Sequence, residues 1–276
     1  MGKVFRPQAI FTAFKYSVYA LLTLNIFLFF QEESLATDQI FSGGVNLVDI
    51  IQGFAATIDT AAWLVLLLLF ELQTSVLDEA ILRKPNVKAW FFAARTFSYG
   101  FILYAFYGYL TKMLLIYNIS PLPIQDVCNL VGQGFSSIVT LDEYSLLNAQ
   151  SCLALVDTEL SRLDGEQVLG SAADWEAIQW LAWVDVINSL TWIAVVVILE
   201  IDLWLQRRGR LAGNFVDISK LLKMLFYSVL FASAAYWGLL GDFLDFWDAF
   251  LWLVAFFFIE RQLIQWQAHT SADSSG

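Results

Sequence analysis

Apolar residues run along this chain in long stretches rather than in the alternating pattern of a soluble fold. Six stretches approach or exceed the roughly 20 residues that an α-helix needs to cross a ~30 Å hydrocarbon layer. They lie at Phe14–Phe30, Phe54–Val76, Ala89–Leu110, Ile178–Leu205, Leu221–Leu240 and Phe243–Ile264. Backbone N–H and C=O groups find no partner in hydrocarbon, so these stretches are expected to be helices. The expected fold class is an all-α polytopic membrane protein with six transmembrane helices.

Three stretches share an internal pattern. "WLVLLLLFEL" at Trp63–Leu72, "WIAVVVILEI" at Trp192–Ile201 and "WLVAFFFIER" at Trp252–Arg261 each place a glutamate eight residues after a tryptophan. Four residues before those tryptophans stand Asp59, Asn188 and Asp248. The three copies fall on the second, fourth and sixth stretches. The other three begin with a cation followed by tyrosine and serine, at Lys15, Arg95 and Lys223. Together these features predict three parallel two-helix hairpins related by an axis along the membrane normal. The repeats are bounded at 1–88, 89–215 and 216–267, and 268–276 reads as a disordered polar tail.

Basic residues fix an expected orientation. With a cytoplasmic amino terminus, all but Lys112 and Arg162 of the 15 Lys and Arg residues lie inside. Both termini are then cytoplasmic, and residues 31–53 and 111–177 form outer loops in a periplasmic or extracellular space. A bacterial inner membrane suits this arrangement. Cys128 and Cys152, the only cysteines, lie in the same outer loop and are expected to form a disulfide. "NAQSCLALVDTELSRL" in that loop has leucines at helical spacing.

A glutamate inside the hydrocarbon edge is costly unless it is paired or solvated. Two readings of Glu71, Glu200 and Glu260 follow. In the first, Lys15, Arg95 and Lys223 pair with them, in that order, and lock the hairpins. In the second, the glutamates form a charged layer on an ion path, with Asp59, Asp185, Asn188 and Asp248 collecting cations at the outer mouth. Asp242 and Asp245 precede Asp248 at helical spacing and add to that mouth. Asp59 and Glu71 are roughly 18 Å and 120° apart on a helix, so they do not share a stripe. The stripe beside each glutamate is apolar, which argues against a wide aqueous pore.

Other chemistry has no motif to carry it. The chain has no Walker A sequence and no His-Glu-x-x-His. Its one histidine, His269, cannot supply a metal cluster or a paired-histidine haem site. No cofactor, metal or nucleic-acid partner is expected. The functional candidates are a cation channel or transporter, or a non-catalytic scaffold subunit whose 111–177 loop docks a protein partner. An enzyme is the least supported class.

Overall fold

The computed structural model describes residues 7–40, 47–208, 214–240 and 242–273. Nine α-helices lie among them: α1 (Pro7–Ile40), α2 (Leu47–Gly53), α3 (Ala55–Glu71), α4 (Glu79–Leu82), α5 (Pro85–Leu115), α6 (Ala149–Ala154), α7 (Ala172–Arg207), α8 (Asn214–Leu240) and α9 (Phe243–Asp273). Three of these are long and apolar enough to cross a membrane, over Ala9–Ile40, Ala55–Thr74 and Ala172–Asp202. Membrane association is therefore built into the chain's apolar helices.

The helix ends follow from local chemistry. Pro85 occupies the first turn of α5, where its missing N–H leaves no bond unmade, and Lys84 before it is extended. After Glu71, α3 loosens into a π-turn over Leu72–Val76. The outer segment 31–53, expected to be a loop, is mostly helical: α1 carries on to Ile40. Apolar content falls after Phe30, but Gln-Glu-Glu-Ser-Leu-Ala is good helix-forming sequence, so the apolar run ends before the helix does. In the same way α9 runs on to Asp273, through most of the segment expected to be a disordered tail.

The six long helices pack in a closed ring. α1 touches α3, α3 touches α5, α5 touches α7, α7 touches α8, α8 touches α9, and α9 returns to α1. Large apolar side chains cover much of the exterior; Phe92, Phe97 and Phe231 are each at least two-thirds exposed. Water would penalise such a surface and lipid would not. The interior holds two apolar cores. One, toward the far end of the ring, gathers Leu22, Trp63, Leu67, Trp192, Val195, Trp252 and Phe256. The other gathers Met113, Ile116, Leu141, Trp175, Ile178 and Trp237 at the opposite end.

At that opposite end sits a feature which corrects the all-α expectation. Residues 119–171 form a five-stranded mixed sheet in the order β1-β4-β5-β2-β3. Its strands are β1 (Ile119–Pro121), β2 (Ser136–Ile138), β3 (Tyr144–Leu146), β4 (Leu160–Leu163) and β5 (Val168–Ser171). All pairs are antiparallel except β2 with β5. Strands of three or four residues are too short to display alternation, so the sequence pattern missed them. The segment with helical leucine spacing divides: α6 covers only Ala149–Ala154, Asp157 turns the chain at φ +64°, and Leu160 and Leu163 enter β4. Cys128 and Cys152 lie at disulfide distance with Cα atoms 5.1 Å apart, beside Val127, Leu160 and Leu169.

Gly108 on α5 marks a close approach. A Cβ there would lie 2.4 Å from the Ile51 carbonyl oxygen, so only glycine lets α2 rest against α5.

Candidate functional site: an acidic cavity under the sheet

The sheet end of the ring closes over a cavity of about 50 Å³. That is room for about three or four water molecules. Glu32 and Glu33 come from α1, Asp59 from α3, Lys112 from α5, Asp185 and Asn188 from α7, and Asp245 and Asp248 from α9. Asp142 descends into it from the β2–β3 turn. The floor is aromatic. Trp63 lies 6.2 Å from Trp192 and 6.4 Å from Trp252 between ring centroids, and Phe256 packs at a tilt of 39° against Trp192 with centroids 4.6 Å apart.

Each wall residue is fixed by identifiable contacts. Glu33 reaches across from α1 to the first turn of α3, accepting from the N–H groups of Ala56 (2.7 Å) and Thr57 (3.0 Å) and from the Thr57 hydroxyl (2.6 Å). It satisfies donors that a helix start leaves orphaned, and its charge suits the positive end of the α3 dipole. Glu33→Ala is expected to cost about 1–3 kcal/mol in thermal or SDS unfolding, with Glu33→Gln recovering part of the loss. Asn25 of α1 donates to Asp248 of α9 at 2.7 Å.

The sheet acts through one hairpin tip. Lys112 forms an ion pair with Asp142. Leu141 beside it is almost fully buried among the sheet-end core residues, and the Tyr144 hydroxyl donates to the Leu141 carbonyl at 2.9 Å. Burial pushes the Tyr144 hydroxyl above its ordinary pKa, so it stays a donor through the physiological range. The tip is thus wedged into the mouth of the ring.

The sequence-derived candidates divide into two groups. Asp59, Asp185, Asn188 and Asp248 meet in the cavity. Glu71 and Glu200 do not. Glu71 lies 12 residues beyond Asp59, at the end of α3, where Lys15 pairs with it at 2.6 Å and the hydroxyls of Tyr16 (3.0 Å) and Tyr19 (3.4 Å) donate to it. Glu200 accepts from the Tyr99 hydroxyl at 3.1 Å and is solvent- or lipid-exposed. The expected Arg95–Glu200 pair is replaced: Arg95 donates to Gln73 at 2.6 Å. Lys223 pairs with Asp202 at 3.1 Å, and Ser219 also donates to Asp202 at 2.6 Å. The side chain of Glu260 lies outside the described residues.

Glu200 also borders a second space, an apolar crevice of about 620 Å³ between α5 and α7 lined by Ile102, Leu103, Val196 and Trp204. Trp63 lines both the crevice and the cavity, so one indole stands between them.

Sequence reasoning missed Asn25, Glu32, Glu33, Lys112 and Asp142. The first three had a signal, a polar group in an apolar run followed by acids seven and eight residues on, which is one helical face. Lys112 and Asp142 had none, because they stand 30 positions apart with β1 and β2 between them. Comparison of the chain with family models, curated proteins and solved structures returns no match.

Proposed function

We propose that this protein moves a cation across a membrane through the cavity beneath its sheet. The observation that carries this is the charge of the lining: seven carboxyl groups face one ammonium, a formal charge of −6. A space this small cannot hold that charge alone, because isolated buried carboxylates are strongly destabilised. Cations or protons must offset it. The tryptophan floor separates this space from the far end of the ring, as a constriction between an outer vestibule and the other side would.

The full architecture in this proposal is six spans in three parallel hairpins, with the amino terminus inside and the sheet in the periplasm of a bacterial inner membrane. Three facts support it. Successive long helices neighbour one another around the ring. The repeated tryptophans converge at its centre. Asp59, Asn188 and Asp248, which hold the same position in the three copies, line one cavity. Cys128 and Cys152 at bonding distance suit an oxidising compartment.

The test is cation flux in proteoliposomes, read with a membrane-potential dye and a lumenal pH dye. Wild-type protein is expected to dissipate an imposed gradient. The Asp59→Asn, Asp248→Asn double variant is expected to lose at least about tenfold in rate, since it removes two charges that hold the cation. Protein that folds and carries no cation overturns the proposal.

A scaffold role is the second reading, favoured by the Lys15–Glu71 and Lys223–Asp202 pairs that fasten neighbouring helices. It would use the 111–177 segment to dock a protein, and it calls for a partner that co-purifies in fixed ratio.

A further inference from the structure

We infer that the cavity selects a small ammonium-type cation, ammonium itself or a short primary alkylammonium, over alkali and alkaline-earth metal ions. This rests on the transport reading above and names the chemistry of its substrate.

Two buried acceptors point to a ligand that donates hydrogen bonds. Asp59 is nine-tenths buried, and its Oδ1 has no hydrogen-bond partner, although it lines the cavity. Asn188 Oδ1, from the equivalent position of the next copy, is also buried, lines the same cavity and has no partner. A buried acceptor left unmatched is destabilising, so such atoms normally face a donor. A proton can satisfy Asp59. It cannot satisfy the Asn188 carbonyl, because an amide oxygen accepts and does not ionise. A cation bearing N–H groups can donate to either atom.

The floor favours the same class. Trp63, Trp192 and Trp252 line the cavity together with the acids, and tryptophan is the best aromatic partner for an ammonium group. An indole face is a poor exchange for the oxygen shell of a metal ion. Calcium takes six to eight oxygen ligands, and magnesium demands near-octahedral geometry. Among the described residues, no group of three His, Cys, Asp or Glu side chains is placed to hold a metal ion. The volume of about 50 Å³ sets the upper size, since it admits a cation of a few heavy atoms and turns away a bulky quaternary amine. The walls supply charge without directional crowding. Glu33 is committed to the α3 helix start, Asp142 to Lys112, and Asp248 to Asn25. Asp59 and Asn188 each present a buried wall acceptor, Oδ1, with no hydrogen-bond partner.

The probe is radiolabelled methylammonium, bound at equilibrium to the purified full-length chain in detergent, alongside flux of the same ion in proteoliposomes. Saturable binding is expected, displaced by ammonium and not by equal concentrations of sodium, potassium or magnesium. Asp59→Asn and, separately, Trp192→Leu are each expected to weaken it about tenfold. The second variant leaves every charge in place, and size-exclusion profiles matching wild type certify that both fold. Displacement by sodium or potassium as efficient as by ammonium overturns this inference. So does proton or metal-ion flux without methylammonium binding, which would leave cation transport standing. Methylammonium binding without flux of any ion would sustain the ligand class and overturn the transport reading instead.

Discussion

Lys15→Met is expected to destabilise the ring by about 3–5 kcal/mol, the scale at which one half of a buried ion pair is left behind. Lys15 and Glu71 are each about 95% buried, and their side chains meet at 2.6 Å. Water cannot replace the lost ammonium at that depth. The Tyr16 and Tyr19 hydroxyls still donate to Glu71, which limits the damage without cancelling a charge. The double variant Lys15→Met, Glu71→Met removes both charges and is expected to recover most of the loss. Recovery should be incomplete, because the buried Tyr19 hydroxyl then lacks its acceptor, at a cost of about 1–3 kcal/mol. Equilibrium unfolding in mixed micelles reads all three proteins. A Lys15→Met variant as stable as wild type would show that the pair contributes nothing.

Lys112→Met is expected to cost a similar amount, about 3–5 kcal/mol, for a different reason. Lys112 faces more than its partner Asp142. It is the single ammonium among seven carboxyl groups in the cavity, and its removal raises the formal charge there to −7. Asp142→Asn is expected to cost only about 1 kcal/mol, since Lys112 keeps Asp185 and Glu32 as electrostatic neighbours. The asymmetry between the two variants separates a general counter-ion from a private ion pair. Both should also release the hairpin tip around Leu141, so protease cleavage within residues 139–143 should accelerate, and more so for Lys112→Met. Equal losses from the two substitutions would argue that the pair stands apart from the acidic lining.

The functional consequences of these two lysines differ as well. Lys15 lies beyond the tryptophan floor from the acidic cavity, and a conservative Lys15→Arg should leave cation binding unchanged. Lys112 is inside the cavity and competes with any bound cation for the same carboxylates. Its replacement should therefore tighten cation binding in whatever fraction of the protein stays folded.

The sequence by itself determined the helical stretches, their apolar character and the correspondence of Asp59, Asn188 and Asp248. Each of those follows from local content: an apolar run of sufficient length must hydrogen-bond internally, and the shared spacing before a tryptophan is read directly from the residues. It also identified the cysteine pair, since two cysteines in one polar segment leave a single intramolecular choice. Tertiary structure alone decided which charges meet. Arg95 turns to Gln73 and Lys223 to Asp202, because helix rotation sets side-chain reach, and rotation is not encoded in spacing. The sheet over residues 119–171 and the descent of Asp142 onto Lys112 were likewise invisible, as its short strands are stabilised by pairing with distant segments. Glu33 shows the same divide most plainly: a carboxylate just past an apolar run looks like loop chemistry, and only the packing of α1 against α3 makes it the cap of another helix.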